Sequence, residues 1–412
     1  MDKFGLIGRT LKHSYSKKIH ALLGEYSYDL YEIEPEKLSG FIADNTLKGF
    51  NVTIPYKKDI ITYLDQVDAK AKAIGAVNTV VINNGIKTGY NTDFDGMVYM
   101  LNRAKISLLD RSVLILGSGG TSNTAKAVCQ SLGAKSIKIL SRSGEINYEN
   151  YDKLVSDCEV LINTTPVGTF PDNYSCKIDL SFFPNLIGVA DVVYNPSLTK
   201  LLYQAKNFGV KYTNGLPMLV AQAKYAKDLF LGQKTSDDVI EKIISVLESQ
   251  TKNIVLIGMP GCGKSSIAKI LSQQLNRESI DVDSEIVKKD GRSIPTIFSE
   301  SGEEYFRAIE KETLKEIGVL TGKIIATGGG VVKDDDNYFA LKQNGIIVWI
   351  DREVEKLATD GRPLSKDLSA VKQLYNDRKA LYVKFADIKI ENNGSLDYAV
   401  SEVKNTYENF SN

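Results

Sequence analysis

A glycine-rich run that ends in lysine and serine, Gly258 to Ser265, is the strongest chemical signal in the chain. It reads GMPGCGKS, matches the pattern G-x-x-x-x-G-K-[ST], and lies between the apolar run NIVLI and a helical pattern. In that setting backbone N–H groups surround phosphates, the lysine reaches the outer phosphate oxygens and the serine hydroxyl ligates Mg²⁺. The sequence therefore predicts a nucleotide site here. Its predicted lining is Gly258, Gly261, Cys262, Gly263, Lys264, Ser265 and Ser266.

A second glycine turn lies earlier, in VLILGSGGTS. In a dinucleotide-binding unit the first glycine makes the turn, the second admits the pyrophosphate, and a small third residue packs helix on strand. Gly117, Gly119 and Ser122 occupy these positions, so the third departs from the usual glycine or alanine. The pattern indicates a dinucleotide site, and a purely structural turn remains the alternative.

The residues after the next apolar run bear on the choice of dinucleotide. NAD enzymes place an acidic residue there to bind the ribose hydroxyls, but this chain has Ser141, Arg142 and Ser143. An arginine with hydroxyls suits a 2′-phosphate, so NADP is favoured over NAD. A solvated surface arginine is the alternative interpretation.

Residues 1–100 contain several unusual polar stretches. HSYSKKIH places Ser14 and Ser16 two apart, so in an extended segment both hydroxyls face one way. GFNVTIPYK contributes Lys57, AIGAVNT contributes Asn78, and GYNTDFDG contributes Asp93. Each alone could be a turn or a helix cap. Together they supply hydroxyls, an amide, an ammonium and a carboxylate, which suit a small polyhydroxylated acid.

The polar residues that follow the Gly258–Ser265 run suggest an acceptor site. Asp281 and Asp283 are two apart and are expected to share one face of a strand. Arg307 and Glu310 are three apart on a helical pattern and also share a face. ATGGGVV is a glycine turn after a strand, and GRPLS and YNDRKALY supply two further arginines, Arg362 and Arg378. Surface ion pairs are one interpretation, and an anion-binding set beside the nucleotide is the other.

These candidates need elements that position them. Short apolar runs alternate with helical patterns along the chain, which is typical of α/β folds with largely parallel sheets. The expected buried strands are SVLILG, SIKILS, CEVLINTT, NIVLIG, ESIDVD, GKIIAT and GIIVWI. Between the two groups of strands, Ile240, Ile243, Ile244 and Leu247 recur at helical spacing. The polar run 249–253 after this helix is the predicted domain boundary.

Bulk composition narrows the class of protein. The chain has 412 residues, and its 51 Lys+Arg balance its 51 Asp+Glu, so no global charge favours nucleic acid or an anionic membrane. No run approaches the roughly 18 apolar residues of a membrane helix, and the first residues show no cleavage signature. Without CxxC spacing the cysteines indicate reduced thiols in a cytosolic protein. They are Cys129, Cys158, Cys176 and Cys262.

The first 240 residues resemble shikimate dehydrogenase. The motifs SxS, NVTxPxK, GAVNT, NTDxxG and GxGG occur in that order, followed by NTTPVG, DVVYNPSLTKLL and NGLPMLVAQA. The resemblance implies that Lys57 and Asp93 form the catalytic pair, and it leaves His13 and His20 as surface or packing residues. The implied substrate residues are Ser14, Ser16, Thr53, Asn78, Tyr194 and Gln222, and the implied NADP residues are Gly117, Gly119, Gly120, Ser141, Arg142, Ser143 and Gly215.

Residues 253–390 resemble shikimate kinase through DxD, GExxFRxxE, GGG, RPL and RxxLY. The resemblance implies that Asp281 helps hold Mg²⁺ and that Arg362 closes over the phosphates of ATP as a lid residue. The segment before Arg362 is short for the family and contains an acid, Asp360. The implied acceptor residues are Asp283 at the reacting hydroxyl, Arg307 and Arg378 at the carboxylate, and Gly329 and Gly330 at the ring.

The combined expectation is a two-enzyme α/β chain. We expect a substrate domain at 1–100 with a return helix at 216–232, an NADP-binding Rossmann domain at 101–248 and a P-loop kinase domain at 253–412. The resemblances imply NADPH-dependent reduction of 3-dehydroshikimate to shikimate, then Mg²⁺-dependent phosphorylation of shikimate by ATP, in the cytoplasm. The expected partners are these small molecules, with neither nucleic acid nor membrane, and a homodimer is compatible with the sequence.

Two alternatives stay open at this point. One is a quinate-type dehydrogenase joined to a kinase of another small alcohol. The other keeps the dehydrogenase but makes the second half a nucleotide-sensing module that its short lid renders inactive. Lys264, Ser265, Asp283 and Arg307 are all present, which argues against the sensing module.

Overall fold

A computed structural model describes residues 2–11, 14–44, 46–153, 155–357 and 368–411 of the chain. It divides into two compact units, Met1–Ile244 and Ser245–Asn412. The described part of the chain contains no helix that combines the length and apolar character needed to span a bilayer.

The first unit begins with a six-stranded mixed sheet. Its strands are β1 (Lys3–Gly8), β2 (Ser27–Glu32), β3 (Gly49–Val52), β4 (Gln66–Val67), β5 (Thr79–Asn83) and β6 (Ile86–Tyr90), in the order β2-β1-β3-β5-β6-β4. β1 pairs in parallel with both neighbours, whereas β5 is antiparallel to β3 and to β6. The helices of this part are α1 (Ser16–Leu23), α2 (Leu38–Asp44), α3 (Ala69–Ile74) and α4 (Thr92–Arg103).

A second, fully parallel sheet follows in the same unit. Its strands are β7 (Ser112–Leu116), β8 (Ser136–Leu140), β9 (Val160–Asn163), β10 (Gly188–Asp191) and β11 (Lys211–Thr213), in the order β11-β10-β9-β7-β8. The helices here are α5 (Gly120–Ser131), α6 (Lys200–Asn207), α7 (Leu216–Leu231) and α8 (Asp238–Thr251). This is a doubly wound order, and its connections reverse direction at β7, so a ligand is expected beyond the end of β7.

Helices α4 and α7 cross closely within the first unit. A Cβ added at Gly96 of α4 would lie 2.7 Å from the backbone oxygen of Met218 in α7, so a larger residue would force the helices apart. Met97, Met100 and Leu101 of α4 are fully buried. The crossing sets the spacing between the N-terminal end of α4 and the first turns of α7.

The second unit contains the third sheet, which is entirely parallel. Its strands are β12 (Asn253–Ile257), β13 (Ser279–Asp281), β14 (Ile324–Ala326), β15 (Gly345–Asp351) and β16 (Ile388–Glu391), in the order β13-β14-β12-β15-β16. β12 and β15 are buried over nearly their whole length, which explains their unbroken apolar sequences. The helices are α9 (Lys264–Leu275), α10 (Val282–Asp290), α11 (Ile294–Gly318, interrupted at Gly302), α12 (Asp335–Lys342), α13 (Leu368–Phe385) and α14 (Leu396–Ser411).

The predicted α/β class and the seven predicted strands are confirmed. The predicted helix after residue 236 is α8, and Ile240, Ile243, Ile244 and Leu247 are all buried. One local expectation is wrong, because Asp283 lies in the first turn of α10 rather than on a strand with Asp281. The Asp281 carboxylate accepts a hydrogen bond from the Ser284 N–H and caps that helix, and this capping ends the strand early.

Candidate functional sites

The first unit places an ammonium and a carboxylate side by side in a small cavity. Lys57 Nζ lies 2.6 Å from Asp93 Oδ2, and the two side chains are 19% and 12% exposed. Both line a cavity of about 410 Å³. This volume suits a small polar metabolite, and a partly dehydrated ion pair can stabilise and protonate a developing alkoxide.

Lys57 is positioned by an anchored turn. The Lys57 carbonyl accepts a hydrogen bond from the Val77 N–H at 2.8 Å. The adjacent Tyr56 is 1% exposed, and its hydroxyl donates to the Ile33 carbonyl. The peptide bond between Ile54 and Pro55 is cis. The turn thus has a buried anchor on each side of the lysine.

Asp93 is positioned by the start of α4. The Asn91 side chain caps the helix by accepting from the Phe94 N–H, and its amide donates to the Ala76 carbonyl at 2.9 Å. The Thr92 N–H donates to Asn78 Oδ1 at 2.7 Å, and Asn78 Nδ2 donates to Thr92 Oγ1 at 3.0 Å. Asn78 therefore connects the end of the GAVNT segment to the residue beside Asp93.

The two serines reach the same cavity by a different geometry from the one expected. The segment is not extended, because Tyr15 has helical dihedrals and α1 begins at Ser16. The Ser16 N–H donates to Ser14 Oγ at 3.2 Å, and both serines line the cavity. The extended-strand argument was therefore wrong, although the two residues do lie together.

The remaining predicted residues of this site also line the cavity. They are Thr53, Asn78, Tyr194, Gly215 and Gln222, with Met218 one helical turn before Gln222. Burial, reinforced by the nearby Tyr15, raises the pKa of Tyr194 to about 12, so its hydroxyl stays protonated at neutral pH. A Cβ at Gly215 would collide with the Val192 carbonyl, so this position at the start of α7 requires glycine.

The predicted dinucleotide loop, Gly117–Ser122, follows β7 at the switch point of the second sheet. Gly117 has φ 107°, a conformation that favours glycine, and nothing lies within 4 Å of a Cβ built at Gly119 or Gly120. Ser122 is 1% exposed, so the departure from glycine or alanine still packs helix against strand. The open space at the start of α5 fits a dinucleotide pyrophosphate.

Ser141, Arg142 and Ser143 lie directly after β8, the strand next to β7. The Ser141 N–H donates to the Ile146 carbonyl at 3.0 Å, which closes the segment into a turn. A guanidinium and two hydroxyls at this edge fit the 2′-phosphate of NADP.

Sequence reasoning missed Asp191, which joins three segments near this loop. Its carboxylate accepts from Asn163 Nδ2 at 2.8 Å, from the Val193 N–H at 3.0 Å and from Thr199 Oγ1 at 2.7 Å. Burial raises the pKa of Asp191 to about 6, and these three donors oppose the rise. The motifs NTTPVG and DVVYNPSLTKLL contain these residues, so the polar side chains were visible in the sequence but their pairing was not.

The P-loop, Gly258–Ser265, connects β12 to α9 at the switch point of the third sheet. Gly258, Gly261 and Gly263 all have positive φ, at 144°, 85° and 101°. A Cβ at Gly258 would collide with the Ile350 carbonyl. Asn392, 2% exposed and missed in the sequence, donates from Nδ2 to the Cys262 carbonyl at 2.8 Å. The loop is thus rigidly shaped with its N–H groups available to an anion.

The cation and metal positions of this loop also fit a Mg²⁺-nucleotide. Lys264 is 7% exposed, and its Nζ donates to the carbonyls of Gly258 and Met259 at 2.9 and 3.0 Å. Ser265 Oγ donates to Asp281 Oδ2 at 2.7 Å. Mg²⁺ usually takes one or two protein oxygens together with water and phosphate, and this hydroxyl–carboxylate pair matches that need. No cluster of three or more His, Cys, Asp or Glu suited to a metal occurs in the described residues.

The predicted acceptor residues line the same cavity as the P-loop, with a volume of about 860 Å³. Asp283 lies against Gly328, where a Cβ would be 2.8 Å from Asp283 Oδ1. Arg307 Nη1 donates to Glu310 Oε2 at 2.6 Å, and Arg307 Nη2 donates to Glu303 at 3.1 Å. Burial raises the pKa of Glu310, with the Arg307 charge opposing the rise. Arg307 is thus fixed between two carboxylates.

The glycine loop, Gly328–Gly330, follows β14 and is fixed from α13. Arg378 Nη1 and the Tyr382 hydroxyl both donate to the Gly329 carbonyl, at 2.9 and 2.6 Å. A Cβ at Gly329 would lie 2.5 Å from Pro260 of the P-loop, and one at Gly330 would collide with the Arg307 guanidinium. The glycines therefore let the acceptor residues approach the P-loop closely.

Two predicted positions, His13 and Arg362, lie outside the described residues. Inside them, His20 is 1% exposed and stacks on Tyr28 with ring centroids 3.7 Å apart, so it is a packing residue as expected. Among residues that line the second cavity, the sequence reasoning missed Thr327, Gly328 and Arg352. Thr327 and Gly328 lie within ATGGGVV but were given no role, whereas no motif includes Arg352, which follows directly after a buried strand.

The two sites define the class of protein: one chain that holds a dinucleotide-dependent oxidoreductase site in its first unit and a P-loop kinase site in its second. Comparison with known proteins agrees. The family described as shikimate dehydrogenase substrate binding domain matches residues 6–80, and the shikimate kinase family matches residues 260–408.

Individual relatives match the first part. Shikimate dehydrogenase (NADP(+)) of Clostridium beijerinckii is 34% identical over 270 residues, spanning 61% of this chain and 100% of the relative. The crystal structure of shikimate dehydrogenase 1 from Peptoclostridium difficile has a TM-score of 0.54 at 34% identity, covering 59% of this chain and 96% of the other. A chorismate mutase/shikimate 5-dehydrogenase fusion from Clostridium acetobutylicum has a TM-score of 0.57 at 32% identity, covering 60% and 97%. The chain belongs to the shikimate dehydrogenase family and carries a shikimate kinase domain behind it.

Proposed function

We propose that the chain reduces 3-dehydroshikimate to shikimate with NADPH in its first unit and phosphorylates shikimate with ATP in its second. One observation carries the proposal. A single chain combines a Lys57–Asp93 pair in a small polar cavity with a P-loop that shares its cavity with Asp283 and Arg307. The product of the first reaction is the acceptor of the second, so the two sites support each other.

In the reduction, bound NADPH would supply the hydride for the ketone carbon. Lys57 Nζ then gives a proton to the oxygen as it gains negative charge, and one C–H and one O–H bond result. Asp93, 2.6 Å from Nζ, orients the ammonium. The pair thereby completes a balanced conversion of ketone to alcohol.

Other cavity residues would bind and orient the substrate. Ser14, Ser16 and the protonated Tyr194 hydroxyl are donors for the carboxylate. Thr53 and Gln222 would contact ring hydroxyls. Both the oxygen and the nitrogen of the Asn78 side-chain amide form hydrogen bonds with Thr92, the residue before Asp93. We therefore assign Asn78 a role in positioning Asp93, in addition to any contact with the substrate ring.

In the phosphorylation, this chain's residues align the acceptor and neutralise charge. Asp283 orients the attacking hydroxyl and accepts its proton, and Arg307 and Arg378 hold the acceptor carboxylate. Lys264 and the P-loop N–H groups stabilise charge on the transferred phosphoryl group. Ser265 and Asp281 would hold Mg²⁺, which would supply further positive charge beside the phosphates. The glycine loop keeps the ring close to the P-loop.

A coupled assay tests the whole proposal. Purified chain is given 3-dehydroshikimate, NADPH, ATP and Mg²⁺, and NADPH absorbance and shikimate 3-phosphate are followed together. Both signals are expected, with phosphate ester appearing after reduction begins. NADPH oxidation without phosphate ester, in protein that still binds ATP, would favour the nucleotide-sensing alternative for the second unit.

The quinate-type alternative is tested by substrate comparison. Turnover of quinate and of shikimate in the oxidative direction is measured with NADP⁺ and NAD⁺. We expect higher kcat/KM for shikimate with NADP⁺, because the 141–143 turn offers a guanidinium and hydroxyls to the 2′-phosphate. A preference for quinate would replace the proposed substrate.

We also propose that the enzyme works in the cytoplasm, and that it can form a homodimer. Free thiols at all four cysteines support a reducing compartment. Fractionation of cells with an antibody against the chain tests the first statement, and light scattering of the purified chain tests the second.

A further inference from the structure

A cation of the second unit, Arg352, lies at the nucleotide cavity outside every motif used above. It follows β15 directly, and it lines the same cavity as Gly261, Gly263 and Lys264 of the P-loop. Its Nε atom is buried and has no hydrogen-bond partner among the described residues. A buried guanidinium N–H without an acceptor is costly, so such a group is expected to serve a ligand.

The acids near Arg352 in sequence are engaged elsewhere. Asp351 lies 3.0 Å from Lys389 Nζ and accepts from the Tyr375 hydroxyl. Glu353 pairs with Lys356 at 2.9 Å, and Glu355 pairs with Lys372 at 3.0 Å. Within the part of the chain that the structure describes, these pairings leave the Arg352 charge available to an anion in the cavity.

Sheet order indicates which anion this is. β12, which leads into the P-loop, has β14 and β13 on one side and β15 on the other. The acceptor residues Asp283 and Gly329 follow β13 and β14, whereas Arg352 follows β15. The P-loop begins against β15, because Gly258 lies at the Ile350 carbonyl two residues before Arg352. Arg352 is therefore on the side of the phosphate loop away from the acceptor.

The sequence gives this position added importance. The sequence 358–367, which includes the predicted lid residue Arg362, contains two Lys or Arg and two Asp, so it has no net positive charge. Cations elsewhere in the unit are therefore needed beside Arg362 to neutralise a triphosphate. Arg352 is a fixed source at the end of a buried strand.

We propose that Arg352 is a nucleotide-binding residue of the kinase site, which donates from its guanidinium to phosphate oxygens of ATP and supplies charge that the short lid lacks. The inference rests on the proposed kinase function. Arginine suits this role because its planar fork donates to two oxygens at once, and it stays charged when partly buried.

Calorimetric titration of the full chain tests the assignment. MgATP, AMP and shikimate are titrated separately into wild type, Arg352→Gln, Arg352→Lys and Lys356→Gln. Lys356 is a matched control, because it is an exposed cation four residues further on. We expect Arg352→Gln to weaken MgATP binding about tenfold or more, Arg352→Lys to fall between it and wild type, and Lys356→Gln to match wild type. AMP and shikimate affinities should stay unchanged in all four.

Several results would overturn the assignment. One is an MgATP affinity of Arg352→Gln within about twofold of the wild-type value. Another is a loss of shikimate affinity in Arg352→Gln as large as its loss of MgATP affinity, which would indicate a structural or acceptor role. Fluorescence of Trp349, the single tryptophan, reports whether the unit is folded. If Arg352→Gln unfolds, unchanged MgATP affinity in Arg352→Lys overturns the proposal. If the wild-type chain binds no MgATP, the kinase function itself is refuted. That result is distinguishable from failure of the Arg352 assignment, in which wild type binds MgATP normally.

Discussion

The dinucleotide loop and the P-loop are both glycine turns between a buried strand and a helix, yet they use glycine for different reasons. In the dinucleotide loop Gly117 alone has a positive φ, and Gly119 and Gly120 face open space. In the P-loop all three glycines have positive φ, and Gly258 has no room for a side chain. The first loop leaves space for a ligand, whereas the second shapes its own backbone around one.

The two active sites also differ in the number and sign of their charged side chains. The reduction site contains one closely matched ion pair, which suits the delivery of a single proton to a neutral ketone. The kinase site assembles several cations, Lys264, Arg307, Arg352 and Arg378, around one cavity, which suits a highly charged triphosphate and a carboxylate. The difference teaches that similar strand–turn–helix scaffolds take their chemistry from the side chains that neighbouring strands supply.

The largest effect is expected from a substitution that inactivates the reduction site alone. Lys57→Ala removes the proton source, so we expect kcat for 3-dehydroshikimate reduction to fall about 10²- to 10⁴-fold. Shikimate phosphorylation should be unchanged, and both rates are measured on the same preparation. The exposed neighbour Lys58 provides a control, Lys58→Ala, with wild-type reduction. Loss of phosphorylation in Lys57→Ala would show that the two sites are not independent.

The reciprocal change breaks the kinase site. Lys264→Ala removes the buried ammonium of the P-loop, and we expect phosphorylation to fall about 10²- to 10³-fold while reduction continues at the wild-type rate. Lys269→Ala, an exposed lysine on the same helix, is the control. Retained phosphorylation in Lys264→Ala, in protein with native Trp349 fluorescence, would contradict the assignment of this loop.

A pair of glycine substitutions sharpens the comparison of the loops. Gly258→Ala forces a Cβ against the Ile350 carbonyl at an unfavourable φ, and we expect the second unit to lose about 2 kcal/mol or more of unfolding free energy. Gly120→Ala places a methyl group in open space and should leave both units as stable as wild type. Denaturant unfolding followed by Trp349 fluorescence reports the second unit, and circular dichroism reports both. Equal stability of the two variants would refute the distinction.

The effect that is smallest at neutral pH, and grows only as the pH falls, is a pH dependence confined to the first unit. Burial lowers the pKa of His20 to about 3, below its unfolded value of 6.5, so the native state resists protonation. Stability from a neutral His20 is complete above pH 6.5 and declines by about 1.4 kcal/mol per unit as the pH falls toward 3. His20→Asn removes this titrating group. The unfolding free energy of the variant should therefore increase relative to that of wild type as the pH falls below 6.5. A stability difference that does not vary with pH between 4 and 7 would contradict this origin.

Much of the kinase site could be predicted from sequence because its residues lie in compact motifs. Lys264, Ser265 and Arg307 were all identified from local spacing, and each lines the observed cavity. The Asp281–Asp283 relation was misjudged because a helix cap ended the strand after Asp281, a choice that a short polar segment leaves open. Arg352 and Asn392 carry no local pattern, since their position beside the P-loop depends on strand order.

The sequence by itself determined the strands of the two parallel sheets, the two glycine loops and the identities of the reacting groups, because these follow from apolar runs, turn residues and short spacings. Only the tertiary structure decided that Lys57 meets Asp93 across 36 residues, that Asp191 joins three segments, and that Arg378 and Tyr382 hold the Gly329 carbonyl. The physical reason is that such contacts depend on which strands lie side by side and how closely helices cross. Local propensity does not encode either quantity.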